Sequence, residues 1–205
     1  MIDELRVYRM HPGQVEAYLE LSQRIAIPFR RDDYGRLLGF WTTASGPLCS
    51  VVNLWRHESL ASREALRARM AQAPQWQDYM AQTHPLNQHQ TVRILAPAMA
   101  LDMPTTRGNV YELRFLQVRT GHASALAARL REAAPAGAGA ATIAVWTNLF
   151  GDIYEVVCLC AHASIQQSLA GAYAAAWADF LQAEGRLVEG IESSLLLPIP
   201  ASPMQ

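Results

Sequence analysis

Two short stretches carry the side chains that could do chemistry. Glu4, Arg6 and Tyr8 occupy alternate positions in "DELRVYRM", and Asn53, Trp55 and His57 do so in "VVNLWRH". Alternate residues of an extended chain share one face. If both stretches are strands whose polar faces line a cavity between two sheets, a carboxylate, a guanidinium, a phenol, an amide, an indole and an imidazole converge there. Aromatic walls with a few placed polar groups are the usual lining of a small-molecule pocket. The candidate substrate-binding set is therefore Glu4, Arg6, Tyr8, Trp41, Asn53, Trp55 and His57, with His57, Tyr8 and Arg6 as candidate catalytic groups and His57 as general base.

Each of these groups also has a structural reading. Glu4/Arg6 and Glu112/Arg114 can be ion pairs that fix register, and His57 and His162 can be neutral strand-end histidines satisfying a backbone group. Core packing accounts for Trp41, Trp146, Trp76 and Trp177 as readily as a pocket wall does. Arg63, Arg67 and Arg69, with Glu64, read as a solvated helix face. Glu58 falls on the opposite face from His57, so no metal site is expected. There is no Gly-rich phosphate loop, nucleophile elbow or Cys-His arrangement, which argues against nucleotide hydrolysis and acyl transfer. No cofactor is expected either. Cys49, Cys158 and Cys160 are too few for a disulfide framework, and Cys158 and Cys160 read as small buried hydrophobes.

The elements that must position these residues occur twice. "DELRVYRM" alternates like a strand, with Leu5 and Val7 opposite the polar row and expected to meet the helices. It ends at Pro12-Gly13, and "QVEAYLELSQRIAIPFRRD" follows with apolar residues near helical spacing. "RLLGFWTT" and "LCSVVNLWRH" flank the turn "ASGP" as a hairpin. Ser59 then caps a helix through "REALRARMAQ", Pro74 opens another over "QWQDYMAQT", and "QHQTVRILAP" is a last strand. The second half repeats the series: Glu4, Leu5, Arg6 and Gly13 fall on Glu112, Leu113, Arg114 and Gly121; Trp41, Thr42 and Gly46 on Trp146, Thr147 and Gly151; His57 and Ser59 on His162 and Ser164; Trp76 and Asp78 on Trp177 and Asp179.

Strand, helix, strand, strand, helix, strand is the split βαβ of a ferredoxin-like fold. The expected class is α+β: two tandem ferredoxin-like (βαββαβ) units, residues 1–98 and the more divergent 109–205, joined by a linker at 99–108. Two such sheets packed face to face would cover each other in a barrel-like arrangement. Whether the copies pair within one chain or between chains stays open at this point, with a homodimer or higher homo-oligomer expected.

With 205 residues, 51% hydrophobic and 17% charged, and a net charge of -1, the chain has no electrostatic pull toward nucleic acid. No stretch has the length of a membrane span, and the opening lacks the apolar core of a signal peptide, so a cytoplasmic protein is expected.

The ordered set "DELRVY", Pro-Gly, "GFWTT…G", "VVNLWRHESLASRE", "PQWQDY" and "RILAP" resembles the NIPSNAP family of the dimeric α+β-barrel superfamily, nearly end to end over residues 2 to 97. The second copy departs more: Tyr8, Asn53 and Trp55 become Leu116, Cys158 and Cys160, and "REALRARM" becomes "QQSLAGAY". A function needing two intact sites is therefore not expected. The family has no settled activity. Its eukaryotic members are linked with mitochondria and vesicle traffic, and the superfamily includes small cofactor-free monooxygenases, haem-degrading enzymes and muconolactone-type isomerases. The resemblance implies either a small apolar or aromatic ligand in an inter-sheet cavity, with cofactor-independent monooxygenase or isomerase chemistry, or a non-catalytic adaptor acting through protein contacts.

Overall fold

The opening strand β1 (Ile2–Met10) sets the plan of the molecule. In the computed structural model, which describes residues 1–105, 109–133, 136–137, 140–169 and 172–205, β1 lies antiparallel between β3 (Ser50–His57) and β4 (Asn87–Met99), and β3 also pairs with β2 (Arg36–Thr43). The second half repeats this with β5 (Val110–Val118), β7 (Ala140–Asn148), β8 (Glu155–His162) and β9 (Val188–Pro198), plus a two-residue edge strand, β6 (Ala136–Gly137). Two seams join the halves. β2 pairs with β9 at Trp41 to Thr43, and β4 pairs with β7 from Leu95 to Met99. The eight long strands thus form one closed antiparallel barrel within a single chain, leaving no open sheet edge among them.

Closure decides which face of β1 goes where. The interior is built by Leu5, Trp41, Val52, Leu54 and Leu95 from the first half against Tyr111, Leu113, Trp146, Leu159 and Leu196 from the second. Space there is about 10 Å³, too little for any ligand. Leu5 and Val7 thus face the barrel, and the row Glu4, Arg6 and Tyr8 turns outward under the helices. The expected inter-sheet cavity is filled by packed side chains. Alternation separates the two faces without saying which is the core face. The choice is made by the helices, which present hydroxyls and a guanidinium to the first-half sheet.

Those helices are α1 (Val15–Leu21), which runs through a π-helical turn at Ser22–Ala26 into α2 (Ile27–Arg30), and α3 (Leu60–Ala71) and α4 (Pro74–Thr83). Pro28 has no N–H to donate to the preceding turn, so the regular ladder breaks at this point. Ser59 caps α3 by accepting from the Ser62 N–H at 3.0 Å, and Pro74 stands in the first turn of α4, as the sequence led one to expect. The second half carries α5 (Ala123–Ala133), α6 (Ile165–Leu169) and α7 (Ala172–Glu184). Part of "QQSLAGAY" and the end of the 99–108 linker lie outside the described residues. No helix among the described residues is long and apolar enough to cross a membrane.

Candidate functional site

Between the first-half sheet and its helices lies a cavity of about 100 Å³. β1 contributes Arg6 and Tyr8, β3 contributes Asn53 and Trp55, and the helical layer supplies Tyr18, Ser22, Arg30, Arg67, Trp76 and Tyr79. Four of the residues expected from sequence therefore come together, but under the helices. Trp41 does not join them: it points into the barrel, 1% exposed, with its ring 5.6 Å from that of Tyr111. Glu4 and His57 share the outward face but sit behind the cavity.

Charge and hydrogen bonds tie these groups into a chain. Arg6 donates through Nε to Glu4 Oε1 at 3.0 Å and through Nη1 to the Tyr8 hydroxyl oxygen at 2.9 Å. Because the Tyr8 oxygen accepts from Arg6, its own proton remains available for a group in the cavity. Glu4 is also held by Arg63 Nη2 at 2.6 Å and by His57 Nε2 at 3.3 Å. An ionised carboxylate only accepts, so His57 must donate from Nε2. Burial alone would raise the Glu4 pKa, but the bond from His57, the charge of Arg6 and the bond from Arg63 outweigh it and hold it well below the usual carboxylate range. Glu4 is therefore a poor base. Arg63 is no part of a solvated face: it reaches inward to Glu4 while also pairing with Glu64, and Arg67 turns to the cavity. Of that trio, Arg69 alone is exposed, donating to the Asp33 carbonyl at 2.7 Å.

The hydroxyls form a second network. Ser22 Oγ and Tyr79 Oη are 2.8 Å apart, and the Tyr8 and Tyr18 rings lie 5.5 Å apart. Burial pushes the pKa values of Tyr18 and Tyr79 up, so both stay neutral donors. Trp55 donates to Asn53 Oδ1 at 2.8 Å, and its ring carries the Arg30 guanidinium 3.3 Å from its centroid. Burial and the neighbouring charge of Arg6 lower the Arg30 pKa to about 9, still cationic at neutral pH.

The second half keeps the ion pair and loses the cavity. Arg114 binds both oxygens of Glu112 at 2.7 Å, His162 Nε2 lies 3.2 Å from Glu112 Oε2, and Ser193 of β9 supplies a further bond to Glu112, as Arg63 of α3 does to Glu4. Where the first half has Tyr8, Tyr18, Ser22, Asn53, Trp55 and Tyr79, the second has Leu116, Leu126, Leu130, Cys158, Cys160 and Phe180, packed as one apolar cluster. Cys158 and Cys160 are fully buried there. Tyr18, Ser22, Arg30 and Tyr79 are pocket residues that motif reading missed. Comparison of the two copies holds the signal for three of them, since each changes from polar to apolar just as Tyr8 does.

The closed eight-stranded antiparallel barrel with helices outside it, within one α+β chain, is a fold that solved structures share. A Fusobacterium nucleatum protein provisionally named a monooxygenase superposes with a TM-score of 0.72 over 96% of this chain and 91% of its own, at 10% identity. An anthrone oxidase-like protein covers 100% of this chain and 94% of its own with a TM-score of 0.65 at 12% identity. The chain belongs to the NIPSNAP family, whose model matches residues 3–101 and again 111–203. Human NipSnap homolog 3B is 28% identical over 123 residues, 58% of this chain and 48% of that protein, so the chain spans about half the length of curated relatives it matches.

Proposed function

We propose that the first half of the chain is a small-molecule binding unit whose occupant, an apolar or aromatic molecule of about one ring, sits between the sheet and the helices beside Trp55 and Trp76. The observation that carries this reading is the contrast between the halves. One sheet-and-helix layer surrounds a polar-lined space, and its duplicate fills the same space with leucine, cysteine and phenylalanine. A fold alone needs only the filled version, which packs better and leaves no hydroxyl to satisfy. Arg6 and the Tyr8 hydroxyl present donors where an oxyanion would form after proton loss from a ring or an α-carbon. Oxyanion stabilisation is the part of cofactor-independent oxygenation by dioxygen, or of isomerisation, that these two residues would supply. His57 contributes as a positioning residue, through Glu4 and then Arg6. Each half is read as one ferredoxin-like unit, 1–98 and 109–205 about a linker at 99–108, which the matching strand orders support.

The test rebuilds the second-half lining in the first. A Tyr8→Leu/Ser22→Leu double variant is expected to fold, less stable by about 1 kcal/mol for each hydrogen bond taken from Arg6 and Tyr79, and to lose binding of single-ring aromatics in native mass spectrometry. Binding equal to that of the parent would remove the pocket from the account.

A further inference from the structure

Among the described residues the cavity is lined by three guanidinium groups, Arg6, Arg30 and Arg67, and by no carboxylate. Glu4, behind Arg6, is already shared among Arg6, Arg63 and His57. Arg30 is different in kind. It is 5% exposed, and among the described residues no carboxylate stands within ion-pair distance of it. Its Nη2 donates to the Tyr34 carbonyl at 2.8 Å, while its Nε is buried without an acceptor. A guanidinium out of water, with Glu4 acting on it only from beyond ion-pair distance, is strongly unfavourable unless something repays it.

The backbone is shaped to put it there. Tyr18, Ser22, Ala26 and Arg30 are four residues apart and all line the cavity. In a regular α-helix a spacing of four drifts about 40° around the axis at each step, which over three steps would carry the last residue off the face. The wider π turn at Ser22–Ala26 removes part of that drift and keeps Arg30 on the line. The ring of Trp55 then supports the guanidinium from one side.

We propose that the occupant of this pocket is a small organic anion, a carboxylate or phenolate on about one ring, and that Arg30 is its counter-charge. This rests on the pocket being a binding site, and the two claims fail separately. Benzoate and its neutral isostere benzamide are titrated by calorimetry and by thermal shift into the full chain and into Arg30→Met, which keeps an unbranched apolar stem and removes the charge. Benzoate is expected to bind the parent at least tenfold more tightly than benzamide, and this preference is expected to vanish in Arg30→Met. Without ligand, Arg30→Met is expected to melt no lower than the parent, an outcome that a purely structural arginine would not give. Benzamide binding as well as benzoate, or better, overturns the anion while leaving the pocket a binding site. A benzoate preference undiminished in Arg30→Met overturns the role of Arg30. Neither probe binding at millimolar concentration overturns both claims. Should Arg30→Met not fold, the comparison of benzoate with benzamide in the parent still decides on the anion.

Discussion

Glu4 and Glu112 are held alike by an arginine two residues along the strand and a histidine from the neighbouring strand, so their shared task is to fix the two sheets. Their ionisation has a measurable consequence. Burial opposes ionisation of Glu112, but the bonds from His162 and Arg114 prevail and bring its pKa from 4.5 down to about 2. Between those values the unfolded chain binds more protons than the folded one, so stability rises with pH and is lost as acid passes from 4.5 toward 2. Urea unfolding measured across that range will show the slope, and Glu112→Gln will make it shallower, with Glu4 supplying the rest. A parent chain equally stable at pH 4.5 and 2.5 would contradict the ion pair. Tyr8→Phe, by contrast, removes one hydrogen bond from Arg6 at a cost of about 1 kcal/mol. Its main effect is expected on ligand binding, weakened by about tenfold in calorimetry with the melting temperature little changed. The persistence of the Glu, Arg and His trio and the loss of Tyr8 were both legible in the repeat. The position of His57 behind Glu4 was not, because residue type and spacing carry no information on depth.

Element boundaries followed from local chemistry: Ser59 as a cap, Pro74 at a helix start and the hairpin about "ASGP" are set by residues within a turn of where they act. The facing of β1 could not be read this way, because both its rows have partners to bury against. Trp41 shows how closely the barrel side is packed. A Cβ added at Gly39 would come within 1.9 Å of the Trp41 ring. Gly39→Ala is therefore expected to displace the indole from the barrel and to cost about 1–3 kcal/mol, as overpacking does. Chemical unfolding measures it, and a neutral result would mean that the Trp41 ring is not held across Gly39. The π turn was equally hidden in the sequence: Pro28 marks a break in the helix, but not its sense.

At the scale of the molecule, the two seams make the halves interdependent, since the barrel core takes side chains from both. One cooperative unfolding transition is expected, with indole fluorescence and far-ultraviolet circular dichroism giving coincident curves; two resolved transitions would contradict the shared core. The repeat foretold a barrel, and the chain closes it alone, so a second chain is not needed for closure. If one half binds and the other only folds, the five tryptophans will report it directly. Trp55 and Trp76 line the cavity, Trp41 and Trp146 lie in the barrel, and Trp177 packs in the second-half core. In a titration with benzoate and benzamide followed by the indole N–H resonances, Trp55 and Trp76 are expected to shift while Trp41, Trp146 and Trp177 stay in place. Shifts at Trp177, or none at Trp55 and Trp76, would contradict it.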